Sequence, residues 1–124
     1  KIKSGNYTVK DHMDVETDFI KKYFKESLVD SILEENTPNI MADINGDLLK
    51  SKEAEIIAIL EELPSSEQII GWMNKVHAFT KITDLTLPES LRPLTLKLSP
   101  YVRQRLTFMR LLKFYDFYDE IIGE

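Results

Sequence analysis

The chain has 124 residues, with 16 basic against 21 acidic side chains, a formal net charge of −5, 43% hydrophobic residues and no cysteine. That is enough apolar chain for one core, so a single helical domain over 1–124 is expected, with residues 1–10 extended or flexible. No run of about 18 apolar residues offers a membrane span, four glycines and five prolines argue against a wholly disordered chain, and without cysteine there is no disulfide, thiolate zinc site or cysteine nucleophile.

From Asp11 to Glu35, the residues Val15, Phe19, Ile20, Tyr23, Phe24, Leu28, Ile32 and Leu33 recur at steps of three and four. This spacing predicts one long amphipathic helix, with Asp11 and Asp14 serving its first turn and Asn36-Thr37-Pro38 stopping it. Pro38 can open a short second helix through Ile40, Met41 and Ile44, ended by Asn45-Gly46. Ser51 is placed to cap a third, with Ala54, Ile56, Ile57, Leu60 and Leu63 as its buried stripe and Pro64 beyond its end. Ser65 and Gln68 form a capping box for a fourth helix over 66–81, with Ile69, Ile70, Met73, Val76 and Phe79 as its buried face. Trp72 lies off that stripe, as a groove-lining anchor or a core filler, of which the core is the preferred reading. Residues 82–99 read as a loop with a turn of helix after Pro88 and an extended or single-turn link after Pro93. Ser99-Pro100 then opens a last helix over 100–122, with Gly123 at its end. The expected fold is all-α: a bundle of four long and one or two short helices.

Asp43-Ile44-Asn45-Gly46-Asp47 resembles the start of an EF-hand calcium loop and of its dockerin variant over five residues. The sixth place, which needs glycine for the turn, holds Leu48, and the twelfth, which needs a bidentate carboxylate, holds Ala54. No metal site and no cofactor is therefore expected. His12 and His77 stand 65 residues apart without metal-ligand spacing, and no nucleophile elbow, phosphate loop or dinucleotide turn is present, so the chain is read as non-enzymatic. Asn6-Tyr7-Thr8 matches a glycosylation acceptor, which matters only in a secreted chain. No charged-then-apolar leader precedes the domain, and the reading leans towards an intracellular protein, with Lys1 the start of an excised or processed piece.

Charge segregation is the most informative feature. Residues 37–70 sum to −5, whereas 92–115 carry Arg92, Lys97, Arg103, Arg105, Arg110 and Lys113 with no acid, for +6. On the predicted last helix, Val102, Leu106, Met109, Leu112 and Tyr115 form one apolar stripe. Phe108, Leu111, Phe114, Phe117 and Tyr118 form another, facing away from it. A helix apolar on most of its circumference is either central in a bundle or pressed against another chain. The leading expectation is a protein–protein interaction module, an adaptor or homodimer, in which Phe114, Phe117 and Tyr118 enter a partner's groove and Arg103, Arg110 and Lys113 select its acidic rim. The alternative is a nucleic-acid-binding module using the six basic residues of 92–113, against which stand the net charge and the closing acids Asp116, Asp119, Glu120 and Glu124.

Overall fold

Residues 1–16 form a strap across the C-terminal segment. A 3-10 turn over Ile2–Ser4 closes at Gly5, whose φ of 64° is left-handed. Val9 then pairs antiparallel with Tyr115 as an isolated bridge, Lys10 N donates to the Phe114 carbonyl at 2.8 Å, and Asp116 N donates to the Thr8 carbonyl at 3.1 Å. The Asp116 carboxylate accepts from both the amide and the hydroxyl of Thr8 at 2.9 Å, which pulls its pKa below the ordinary carboxylate value. The structure, a computed structural model, describes residues 1–123; Glu124, one of the closing acids, lies outside the described residues.

The single long first helix is replaced by two, α1 (Thr17–Tyr23) and α2 (Glu26–Glu35), separated by extended backbone at Phe24 and Lys25. Neither glycine nor proline marks this break. Its cause is tertiary: the two helices fold onto each other so that Ile20, fully buried, and Ile32 enclose Tyr101 in a small core flanked by Val15, Phe19, Phe24 and Leu33. Helix α2 stops at Asn36 as the sequence predicts.

Residues 38–45 are turns, not the expected short helix, and the Thr37–Pro38 peptide is cis. Asn45 opens α3 (Gly46–Ser51) instead of closing a helix: its side chain accepts from Leu48 N at 2.8 Å, an N-cap that satisfies an otherwise unpaired first-turn amide. Gly46 sits against the strap, where a Cβ would lie 3.5 Å from two of its carbonyl oxygens and 3.1 Å from Asp11 Oδ1. Ser51 donates to the Leu48 carbonyl and so closes α3 instead of capping α4 (Glu53–Glu62). Helix α5 (Ser66–Lys75) begins with both bonds of the predicted capping box, 3.2 Å to Ser65 Oγ and 2.9 Å to Gln68 Oε1. It ends six residues before the predicted position. Ala78 N reaches back to the Met73 carbonyl and His77 takes a left-handed φ of 54°, a closing turn that needs no glycine. His77 therefore lies beyond the helix and is exposed.

After 3-10 turns at Ile82–Leu85 and Glu89–Leu91, the link expected beyond Pro93 is a helix, α6 (Arg92–Leu98), with Pro93 in its first turn. The predicted last helix is broken into a 3-10 turn at Ser99–Tyr101, a loop, α7 (Phe108–Leu112) capped by Thr107, and α8 (Tyr118–Ile122) closed by Gly123 at φ 89°. The turn between α7 and α8 is the stretch that bonds the strap. The fold is all-α, with no strand among the described residues and no helix long and apolar enough to cross a membrane.

Candidate functional site

Breaking the last helix decides where the predicted site residues go. Phe114 (0% exposed), Phe117 and Tyr118 are packed with Ile2, Met41, Leu49, Leu112, Tyr115 and Ile122 in the main core. Tyr115 stacks on Phe117 at 5.1 Å, and Tyr7 of the strap packs against both rings, tilted on Tyr115 at 5.3 Å and edge-on to Phe117 at 6.1 Å. The expectation that these aromatics line an external partner face is corrected: the strap and α3 already cover them. Arg110 and Lys113, assigned to the rim of that face, are also buried. Arg103 stays exposed, as do Arg92 and Arg105, while Lys97 is half-buried with Asp119 at 3.5 Å. The six basic residues of 92–113 thus do not form one surface.

Arg110 and Lys113 instead build a polar cluster that ties four parts of the chain together. Lys113 Nζ donates to Glu16 of the strap and, at 3.0 Å, to Tyr101 Oη, which in turn donates its proton to Glu16. Arg110 donates to Asn36 Oδ1 and, at 3.0 Å, to the Arg103 carbonyl, with its guanidinium 5.6 Å from the centre of the Tyr101 ring. The Asn36 amide nitrogen donates to the carbonyls of Ile32 and Tyr101, both at 2.7 Å. Burial lowers the pKa of Lys113, an effect the Glu16 carboxylate opposes, and burial lowers that of Arg110. For Glu16, burial acts upwards but is outweighed by the Lys113 and Tyr101 hydrogen bonds and the Lys113 charge, so the carboxyl lies below its ordinary value. Burial and the same carboxylate push the Tyr101 phenol strongly upward. Beside this cluster is a polar hollow of about 330 Å³, whose charges pair within the chain as Lys113 with Glu16 and Lys97 with Asp119. The arrangement is a structural clamp: Glu16, Lys97, Lys113 and Asp119, which face the hollow beside Lys10, also hold one element to another.

The uncovered apolar surface lies elsewhere. Helices α4 and α5 contain no buried residue. On α4, Ile56, Ile57 and Leu60 lean on the main core, but Ile59 and Leu63 are 63% and 59% exposed. Between α4 and the α7–α8 segment runs an apolar groove of two joined hollows. One, of about 300 Å³, is walled by Ile57, Leu112, Phe117 and Ile121; the other, of about 240 Å³, by Ile59, Leu63, Leu106 and Leu111. Leu60 and Phe108 belong to both. Ion pairs Lys1–Glu120, at 2.8 Å, and Lys3–Glu61 flank the first hollow. Beyond α4, Ile69, Trp72, Val76 and Phe79 are exposed, Trp72 by 55% and Val76 by 73%, so the assignment of Trp72 and of this stripe to the core is also corrected. Periodicity located the stripe without showing that nothing covers it; the one available hint was that residues 101–122 alone supply aromatics enough to fill a small core.

No known protein family matches the chain, and neither a curated protein nor a solved structure does.

Proposed function

We propose that the domain is a protein-interaction module whose docking surface is the groove between α4 and α7–α8. The observation that carries this reading is the groove itself: two joined hollows walled by aliphatic and aromatic side chains, with Ile59, Leu63, Leu106 and Phe108 left open to solvent. Such a trough favours the apolar face of a helix, whose side chains enter at intervals of three and four residues. Contiguous exposed apolar surface of this kind marks an interaction site in a folded protein. Arg103 and Arg105, exposed on the same loop as Leu106, supply positive charge for orientation and association rate.

The test is capture from lysate of the native source at physiological salt, with and without nuclease, by the wild-type domain and by the Ile59→Lys/Leu63→Lys variant. Both substituted positions are exposed, so folding is expected to survive the change. A protein retained in both nuclease arms and lost from the variant supports the module. Equal retention by the variant overturns the groove, and loss on nuclease treatment transfers the function to nucleic acid, through Arg92, Arg103 and Arg105.

A further inference from the structure

We propose that the groove is filled by α5 of a second copy of this chain, and that the exchange is reciprocal, giving a closed dimer. The inference rests on the module reading above and names its partner.

Helix α5 is held by local devices at both ends, the Ser65–Gln68 capping box and the Met73–Ala78 closing turn. These caps favour the helix, but ten residues with Gly71 in their midst are marginal as an isolated helix, and no other described element makes an extended contact with it. Yet Ile69, Met73 and Val76 share one face, and Trp72, three residues after Ile69 and four before Val76, belongs to that face instead of lying off it as expected from the sequence, so that the four make one apolar arc. The chain therefore carries a locally capped amphipathic helix without a groove and an apolar groove without a helix.

Area and charge agree with this pairing. From their exposed fractions, Ile69, Trp72 and Val76 of α5 and the open groove residues Ile59, Leu63, Leu106 and Phe108 together present at most roughly 800 Å² per copy, the same order as the ~800 Å² contributed by each partner in a standard stable interface. Although the chain carries a net −5, the two surfaces carry both signs: α5 has one acid, Glu67, and one base, Lys75, and the groove is flanked by the internally paired Lys1–Glu120 and Lys3–Glu61, by Glu62 beside Leu63, and by Arg103 and Arg105 on the loop of Leu106. A second copy thus meets no like-charge barrier. Leu63 is both a groove wall and the first residue of the three-residue link to α5. Helix α5 thus leaves from the edge of its own groove, and a two-fold axis relating two copies makes the contact reciprocal. Two equivalent contacts close the pair instead of propagating a filament.

The test is the mass in solution, by sedimentation equilibrium over a range of concentrations, of the wild type, the groove variant Ile59→Lys/Leu63→Lys, the helix variant Trp72→Glu/Val76→Glu, and an equimolar mixture of the two variants. The wild type should be a dimer, each variant alone a monomer, and the mixture should regain a weaker dimer through its one intact helix-in-groove contact. A monomeric wild type overturns the proposal, as does a dimer that survives in either variant or a mixture that stays monomeric, which would mean that each surface pairs with itself. Should either variant lose its helical circular dichroism, cross-linking decides. The chain has no cysteine, so Val76→Cys and Leu106→Cys versions mixed together should couple between copies, and failure to couple overturns the exchange. A monomeric wild type that still captures a protein through its groove refutes only the second copy; one that captures nothing refutes the module as well.

Discussion

The segments 108–122 and 53–79 are built alike, with large apolar residues at helical spacing between charges, and they meet opposite fates. In the first, Phe114 and Ile122 are fully buried and even Lys113 is enclosed; in the second, no helical residue is buried. The difference lies in what reaches each of them. The strap of residues 1–16 crosses the first segment, bonding to Phe114, Asp116 and Lys113, whereas no described element makes an extended contact with α5. An amphipathic pattern states which face avoids water, and leaves open whether that face is covered by the same chain.

The sharpest way to break this comparison is to truncate one large side chain in each segment. Phe114→Ala should lower unfolding stability by about 3–5 kcal/mol, the cost of a cavity in a closed core. Trp72→Ala, measured in urea at a concentration low enough to keep the chain monomeric, should change it by less than about 0.5 kcal/mol. Comparable losses would mean that the two segments are equally covered.

A smaller effect is expected from the clamp that joins the strap to α7. Glu16→Gln leaves the Lys113 ammonium without its carboxylate and should cost about 2 kcal/mol at neutral pH, less than for a fully enclosed pair because the Glu16 side chain is 44% exposed. The pH dependence has a defined sign. Glu16 has a lower pKa folded than unfolded, so its contribution is present above the ordinary carboxylate value and is lost as pH falls through the lowered one. The urea midpoint of the wild type should therefore fall more steeply than that of Glu16→Gln between about pH 5 and pH 3. Parallel profiles would show that the strap is held by its backbone bonds alone.

The smallest effect sharpens the account of α5. Gly71 lies in mid-helix, and a Cβ there would meet nothing within 4 Å. Gly71→Ala should raise α5 stability by about 0.5–1 kcal/mol through helix propensity, seen as slower amide exchange over Ile69–Lys75. Because position 71 is opposite the apolar arc, the proposed dimer should be unaffected. Unchanged exchange would place the stability of α5 outside its own backbone.

The all-α class and several helix ends were legible in the sequence because they depend on groups within about four residues of one another. The Ser65–Gln68 box, the stop at Asn36-Thr37-Pro38 and the Gly123 closure are of this kind: each satisfies or removes a terminal amide or carbonyl locally. Asn45 shows the limit, since the same residue type serves a stop and a start, and its use here as an N-cap depends on the strap against Gly46. The candidate site was less legible. Reading Phe114, Phe117 and Tyr118 as an exposed face required the helix 100–122 to run unbroken, and the loop before Thr107 and the turn before Tyr118 carry no glycine or proline to announce them.

What the sequence by itself determined is therefore the all-α class, the helix ends set by local caps, and the separation of an acidic segment, 37–70, from a basic one, 92–115. The tertiary structure decided which faces are covered. Burial is a competition among surfaces distant in the chain, settled by contacts such as Glu16 with Lys113 and Lys10 with Phe114, and no local pattern encodes which of two similar apolar stripes will win the strap.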